Sequence, residues 1–106
     1  SDWGKMAEEY LAERRELALS VQLIDSRHEP TPLDLQLNEW LEFYAKNHIV
    51  VATKADKLSN NQLGKILRQT EKRFPASKVI AYSSVTGKGR DALWSEIEIA
   101  LKKEII

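Results

Sequence analysis

The stretch Ile49-Val50-Val51-Ala52-Thr53-Lys54-Ala55-Asp56 constrains this chain more than any other. Four apolar residues, mostly β-branched, run into Thr-Lys-Ala-Asp. Such a run is too short for a helix and is stopped by polar residues, so it predicts a strand buried on both faces. Strands of that kind belong to parallel sheets covered by helices. In open α/β sheets, ligands lie beyond the carboxyl ends of the strands, which makes Thr53 to Asp56 the predicted ligand address.

The rest of the chain supplies a sheet for that strand. Trp3, Met6, Ala7, Tyr10 and Leu11 recur at helical spacing, with Asp2 as N-cap and Arg14-Arg15 in the last turn. Leu17 to Ile24 reads as the first strand, ending at Asp25, and Ser26 to Pro30 as a loop. Thr31-Pro32-Leu33-Asp34 is a helix start: a capping Thr, Pro at the first helical position, an acid in the first turn. That helix is predicted to bury Leu33, Leu37, Trp40, Leu41 and Tyr44, with Asn47 as a left-handed terminator. After the Ile49–Ala52 strand, Ser59-Asn60-Asn61-Gln62 is a capping box. It opens a helix with Leu63, Ile66, Leu67 and Thr70 inward, stopping near Phe74-Pro75. Lys78 to Tyr82 is the third strand. A last helix runs from about Gly89 to Lys103, burying Leu93, Ile97, Ala100 and Leu101. Alternation of this kind predicts an α/β fold with three parallel strands and four helices, joined by right-handed crossovers. The strands' C-terminal loops then share one edge, so Thr53–Asp56 and Ser83–Gly87 become neighbours.

Bulk properties remove several function classes. With 42% hydrophobic and 30% charged residues the 106-residue chain is globular, one small domain or part of one. Lys plus Arg and Asp plus Glu number 16 each, so no strongly basic footprint points to nucleic acid or a membrane surface. Cysteine is absent, which excludes disulfides and thiolate zinc sites and agrees with a cytoplasmic setting. No apolar run approaches the roughly 20 residues that span a bilayer.

The two loops carry a specific chemistry. Guanine offers an N1–H and N2–H₂ donor pair beside its O6 carbonyl. One fixed carboxylate accepts both donors; adenine would leave that carboxylate unpaired, a discrimination of about 10⁴. Asp56 is the candidate carboxylate. The stem of Lys54 can lie across the base plane with its ammonium in water. A backbone N–H in the Ser84-Val85 turn can donate to O6, and the Ser83 hydroxyl can orient Asp56. Each loop alone has a plainer reading: Lys-x-Asp as the start of a turn, Ser-Ser-x-Thr-Gly as a turn and helix start. Their occurrence in this order at the ends of adjacent parallel strands favours base recognition.

Thr53-Lys54-Ala55-Asp56 and Ser83-Ser84-Val85-Thr86-Gly87 resemble the fourth and fifth guanine-nucleotide motifs of translation-factor-related P-loop GTPases. More narrowly, the chain resembles the bacterial EngB/YihA/YsxC GTPases. The resemblance there lies in Trp3-Gly4-Lys5-Met6 with Glu9-Tyr10-Leu11, and in Asp25-Ser26-Arg27-His28 with Pro30 and Asp34. It covers nearly the whole chain. It implies a three-layer P-loop GTPase-type fold and a guanine-nucleotide site at Thr53, Lys54, Asp56, Ser83, Ser84 and Val85. It also implies slow Mg²⁺-dependent GTP hydrolysis, a role in assembly of the large ribosomal subunit, and a link to cell division and septation.

The departures are as informative. Thr53 stands where many GTPases have Asn; its hydroxyl is still expected to brace the loop. No G-x-x-x-x-G-K-[ST] occurs, nor a D-x-x-G ahead of the first helix. The family's phosphate loop and Mg²⁺ ligands are therefore not among these residues, and no catalytic group or metal ligand is assigned. Residues 1–106 are expected to be the C-terminal half of a GTP-binding domain, inactive alone, with the exposed edge of its first strand prone to self-association. Asp25, Arg27 and His28 form either a contact site or a loop held by charge pairing. His48 is read as merely preceding a strand, Trp40 and Trp94 as packing residues. Two other classes remain open: a small α/β interaction module that binds no nucleotide, and an enzyme using Asp25 and His28 as an acid–base pair.

Overall fold

Parallel pairing requires a crossover between successive strands, and helices supply both crossovers here. The computed structural model describes residue 5, residues 19–44 and residues 47–105. Its elements are β1 (Ser20–Asp25), α1 (Pro32–Tyr44), β2 (His48–Thr53), α2 (Asn60–Arg73), β3 (Lys78–Ala81) and α3 (Arg90–Ile105). One 3₁₀ turn, Ala55–Lys57, follows β2. The helix expected around Trp3 to Leu11 lies outside the described residues, as do Leu17 and Ala18 of the first expected strand.

The sheet runs β1-β2-β3, all parallel, with β2 central. Ile49, Val50, Val51 and Ala52 are 0–3% exposed, as a strand covered on both faces must be. Ile24, Val50, Ala52 and Phe74 pack on one face with Leu35 of α1 and Leu67 of α2. Ile49, Val51 and Ile80 pack on the other with Leu93 of α3. Among the described residues α3 is the one helix on that second face. Val21 and Leu23, in register with Ile49 and Val51, are 41% and 65% exposed. Among the described residues no helix is long and apolar enough to cross a membrane.

Helix starts follow their sequence signals. Thr31 and Asp34 bond reciprocally, Asp34 N–H to Thr31 Oγ1 and Thr31 N–H to Asp34 Oδ2. Ser59 and Gln62 form the expected capping box. Faces and ends depart more. α1 buries Asn38 and Leu41, while Leu33 is exposed. The helix is turned by a polar network beneath it: Gln22 Nε2 donates to the Asp34 carbonyl, and Asn38 Nδ2 donates to Gln22 Oε1 and Ser77 Oγ. Ser77 Oγ lies 2.7 Å from His48 Nε2, so His48 fastens β2 to the start of β3. Asn47 is not left-handed; its carbonyl accepts the Ser20 N–H and starts the β1–β2 pairing. On α3 only Ala100 of the expected set is fully buried, and Trp94 and Leu101 are exposed.

Candidate functional site

Three chain segments meet beyond the carboxyl ends of the strands. β1 and β2 end in register at Asp25 and Thr53, and the Ser26 N–H donates to the Thr53 carbonyl. The Thr53 hydroxyl donates to the Ile24 carbonyl at 2.9 Å, bracing the second strand against the first. Lys54 follows with φ +60°, the one non-glycine residue at positive φ among those described. L-residues avoid that conformation, and where it persists the surroundings over-determine it. Here the Ala55 N–H is held by the Tyr82 carbonyl at 3.0 Å, and the Lys57 N–H returns to the Lys54 carbonyl.

The left-handed step sends the chain through the 3₁₀ turn and brings Asp56 over the loop after β3. Ser83, fully buried, donates its proton to Asp56 Oδ1 at 2.8 Å. The same hydroxyl accepts the N–H groups of Val85 and Thr86, at 3.2 and 3.1 Å. One side chain thus closes its own turn and fixes the carboxylate of the other loop. The Asp56 side chain is 15% exposed, and among the described residues its Oδ2 has only Lys57 Nζ in ion-pair range, at 3.9 Å. It keeps acceptor capacity for two further donors.

Together these loops wall an open cleft of about 370 Å³. Thr53, Lys54, Asp56, Ser84 and Val85 line it, and Ser83 lies beneath. The two backbone donors of the Ser84-Val85 turn separate: the Val85 N–H is taken by Ser83, whereas the Ser84 N–H has no partner among the described residues. Ser84 is therefore the donor available to a ligand carbonyl. Arg27 and Tyr82 also line the cleft. Tyr82 contributes the carbonyl that seats Ala55, a role no side-chain pattern could have signalled.

The glycines of this loop are fixed by geometry. Gly87 and Gly89 both have φ +80°, and the Gly87 and Arg90 N–H groups close successive turns on Ser83 and Gly87. A Cβ on Gly89 would stand 1.9 Å from the Ala81 carbonyl oxygen. The loop is pressed directly against the end of β3.

Asp25 and His28 do not form an acid–base pair. The Asp25 carboxylate takes the Arg27 guanidinium at 2.8 and 3.1 Å and the Arg27 N–H at 2.9 Å. Those hydrogen bonds hold it well below the usual carboxylate range, against the opposing effect of desolvation. His28 instead lines a separate cavity with Ile66 and Arg73 of α2. Ser26 Oγ is buried, with no hydrogen-bond partner among the described residues. Among the described residues no three His, Cys, Asp or Glu side chains gather to hold a metal ion. With Asp25 clamped by cations and Asp56 by Ser83, these residues do not fit Mg²⁺.

Three parallel strands, helices on both faces and a cleft at the carboxyl ends make an open α/β fold, and its solved counterpart is a GTP-binding protein. A crystal structure of a probable GTP-binding protein EngB superposes with TM-score 0.79 and 15% identity, covering 93% of this chain and 64% of that one. Sequence relatives narrow the class. A probable GTP-binding protein EngB of Desulforamulus reducens is 47% identical over 105 residues, covering 96% of this chain and 51% of the relative. Its Bacillus subtilis counterpart is 41% identical over 99 residues, covering 91% and 51%. That of Limosilactobacillus reuteri is 37% identical over 105 residues, covering 95% and 53%. No family model matches. The chain belongs to the EngB family, and it spans about half the length of the curated relatives it matches.

Proposed function

We propose that this chain is the guanine-base-recognition half of an EngB-type GTP-binding domain. In this reading Asp56 accepts N1–H and N2–H₂, the Ser84 N–H donates to O6, and the stem of Lys54 covers one face of the ring. Thr53 and Ser83 hold the loops, and Val85 walls the cleft. The observation that carries the reading is the 2.8 Å bond from Ser83 Oγ to Asp56 Oδ1, joining loops 27 residues apart. Adenine would leave the Asp56 carboxylate without its donor pair.

The whole protein's activity is part of the same proposal: Mg²⁺-dependent GTP hydrolysis in the cytoplasm, in large ribosomal subunit assembly, linked to cell division and septation. The phosphate- and metal-binding groups would come from the length of the relatives that this chain does not span. Alone, the chain is expected to bind GDP at about millimolar Kd, because the phosphate contacts are missing, and to hydrolyse no GTP. Self-association through the edge of β1 belongs to the proposal too, supported by the exposed Val21 and Leu23 and by the terminal place of β1 among the described strands.

The test is a titration followed by amide chemical shifts, GDP against ADP, in the wild-type chain and in Asp56→Asn. An amide side chain presents a donor where xanthine has a carbonyl, so the variant should prefer xanthosine diphosphate. Equal shifts with ADP and GDP, or an unchanged preference in the variant, would overturn base recognition at Asp56.

A further inference from the structure

The ion pairs around Asp25 extend into the cleft, and neither base recognition at Asp56 nor the fold accounts for them. Asp25 Oδ2 is shared by two cations. Arg27 Nη2 lies 2.8 Å from it on one side and Lys54 Nζ 3.6 Å on the other. Arg27 adds a guanidinium bond and its backbone N–H to Oδ1, at 3.1 and 2.9 Å, so the carboxylate is oriented before Lys54 reaches it. The backbone of Lys54 is held at positive φ by the turn that follows. The Cα of this side chain is thus set by the backbone, and its half-exposed ammonium lies in ion-pair range of Asp25. Lys54 itself lines the cleft. A free lysine samples many rotamers, and holding it in one removes an entropy cost that a ligand would otherwise meet.

We propose that Asp25 is a positioning residue for Lys54: its carboxylate tethers the ammonium so that the stem is set in advance as a ledge for a planar ring. The proposal rests on the guanine-base reading above. It assigns Arg27 the task of aligning Asp25, and it gives the Asp-x-Arg of Asp25-Ser26-Arg27 a function in ligand affinity. It also fixes what the tether does not do. A ledge acts on the face of a ring, whereas Asp56 and the Ser84 N–H act on its edge. Loss of Asp25 therefore weakens guanine and xanthine nucleotides by the same factor and leaves the choice between them unchanged.

An exposed ion pair of this kind supports an effect of about two- to fivefold in affinity. The experiment is a cycle in the 106-residue chain, with GDP Kd values from amide chemical-shift titration. Asp25→Asn is expected to weaken GDP two- to fivefold. Lys54→Met, which keeps an apolar stem and removes the charge, is expected to weaken it equally, and the double variant no further. Raising salt to 1 M, where the screening length is about 3 Å, should erase the wild-type advantage. If Asp25→Asn costs as much in the Lys54→Met background as alone, Asp25 acts through the loop and not through Lys54, and the proposal is wrong. Wild-type affinity in Asp25→Asn overturns it as well. Asp56→Asn, measured beside these, separates the two readings. A normal switch to xanthosine diphosphate with a failed cycle removes the tether and leaves the base site. No switch removes the base site itself.

Discussion

Alanine at Gly89 and at Gly87 should differ sharply, although both positions share a φ of +80°. That shared conformation costs an L-residue about 1–2 kcal/mol. The unfolded chain loses freedom in both variants, which returns about 0.4–1 kcal/mol. At Gly87 nothing lies within 4 Å of an added Cβ, so the net loss should be about 1 kcal/mol. At Gly89 the Cβ would stand 1.9 Å from the Ala81 oxygen, 3.0 Å from its carbonyl carbon and 3.3 Å from Ile80 Cγ2. The first contact is with backbone, which cannot rotate away, and relief requires a shift of about an ångström. Ala81 is the last residue of β3 and pairs with Ala52, and the Tyr82 N–H that follows bonds the Ala52 carbonyl. Moving it strains a packed core, at about 1–3 kcal/mol, and weakens one or two ladder bonds worth about 1 kcal/mol each. Gly89→Ala should therefore lose about 3–5 kcal/mol in all, a large share of the stability of a small domain. Urea unfolding followed by circular dichroism measures both variants. A Gly89→Ala midpoint equal to that of Gly87→Ala would refute the reasoning, because the close approach would then carry no energy.

Three further outcomes are expected. Burial holds the His48 pKa below the histidine value of about 6.5, with Glu42 opposing. The unfolded chain then binds the extra proton first, so stability is full above about pH 6.5 and declines as pH falls toward the lower folded pKa. Unfolding midpoints from pH 8 to 5 should show that decline, and His48→Gln should remove it. Ser26→Ala deletes a buried hydroxyl with no partner among the described residues, so thermal unfolding should show a neutral effect or a gain of about 1 kcal/mol; a loss above that would mean the hydroxyl is satisfied. Leu23→Lys places a charge on the 65% exposed edge residue and should shift the chain toward monomer in sedimentation at high concentration, without loss of folded signal.

Much of this architecture is written in the chain. Ile49 to Ala52 announces a central strand, and Thr31-Pro32 and Ser59 to Gln62 announce helix starts, because those signals are local. Side-chain chemistry alone likewise proposed the contact between Ser83 and Asp56, since parallel topology brings the two loops to one edge. What periodicity could not deliver is the facing of α1 and α3. Counting apolar positions aims Leu33 inward, but Asn38, reaching Gln22 and Ser77, turns the helix toward a polar network assembled from three elements. Leu101 was counted as core and Trp94 as a packing residue, yet both are exposed on α3, which among the described residues is the one helix on its face of the sheet. The left-handed Lys54 was equally hidden: no glycine marks it, and it arises from the Tyr82 carbonyl capturing the next N–H.

The buried Ser83 hydroxyl has one proton and two lone pairs, and all three are already engaged. It has no capacity left to adapt to an arriving molecule. The two turns it joins must then move as a single jaw or not at all. In the base-recognition reading proposed above, selectivity at this edge would then be set when the chain folds, by two turns already locked in one relation.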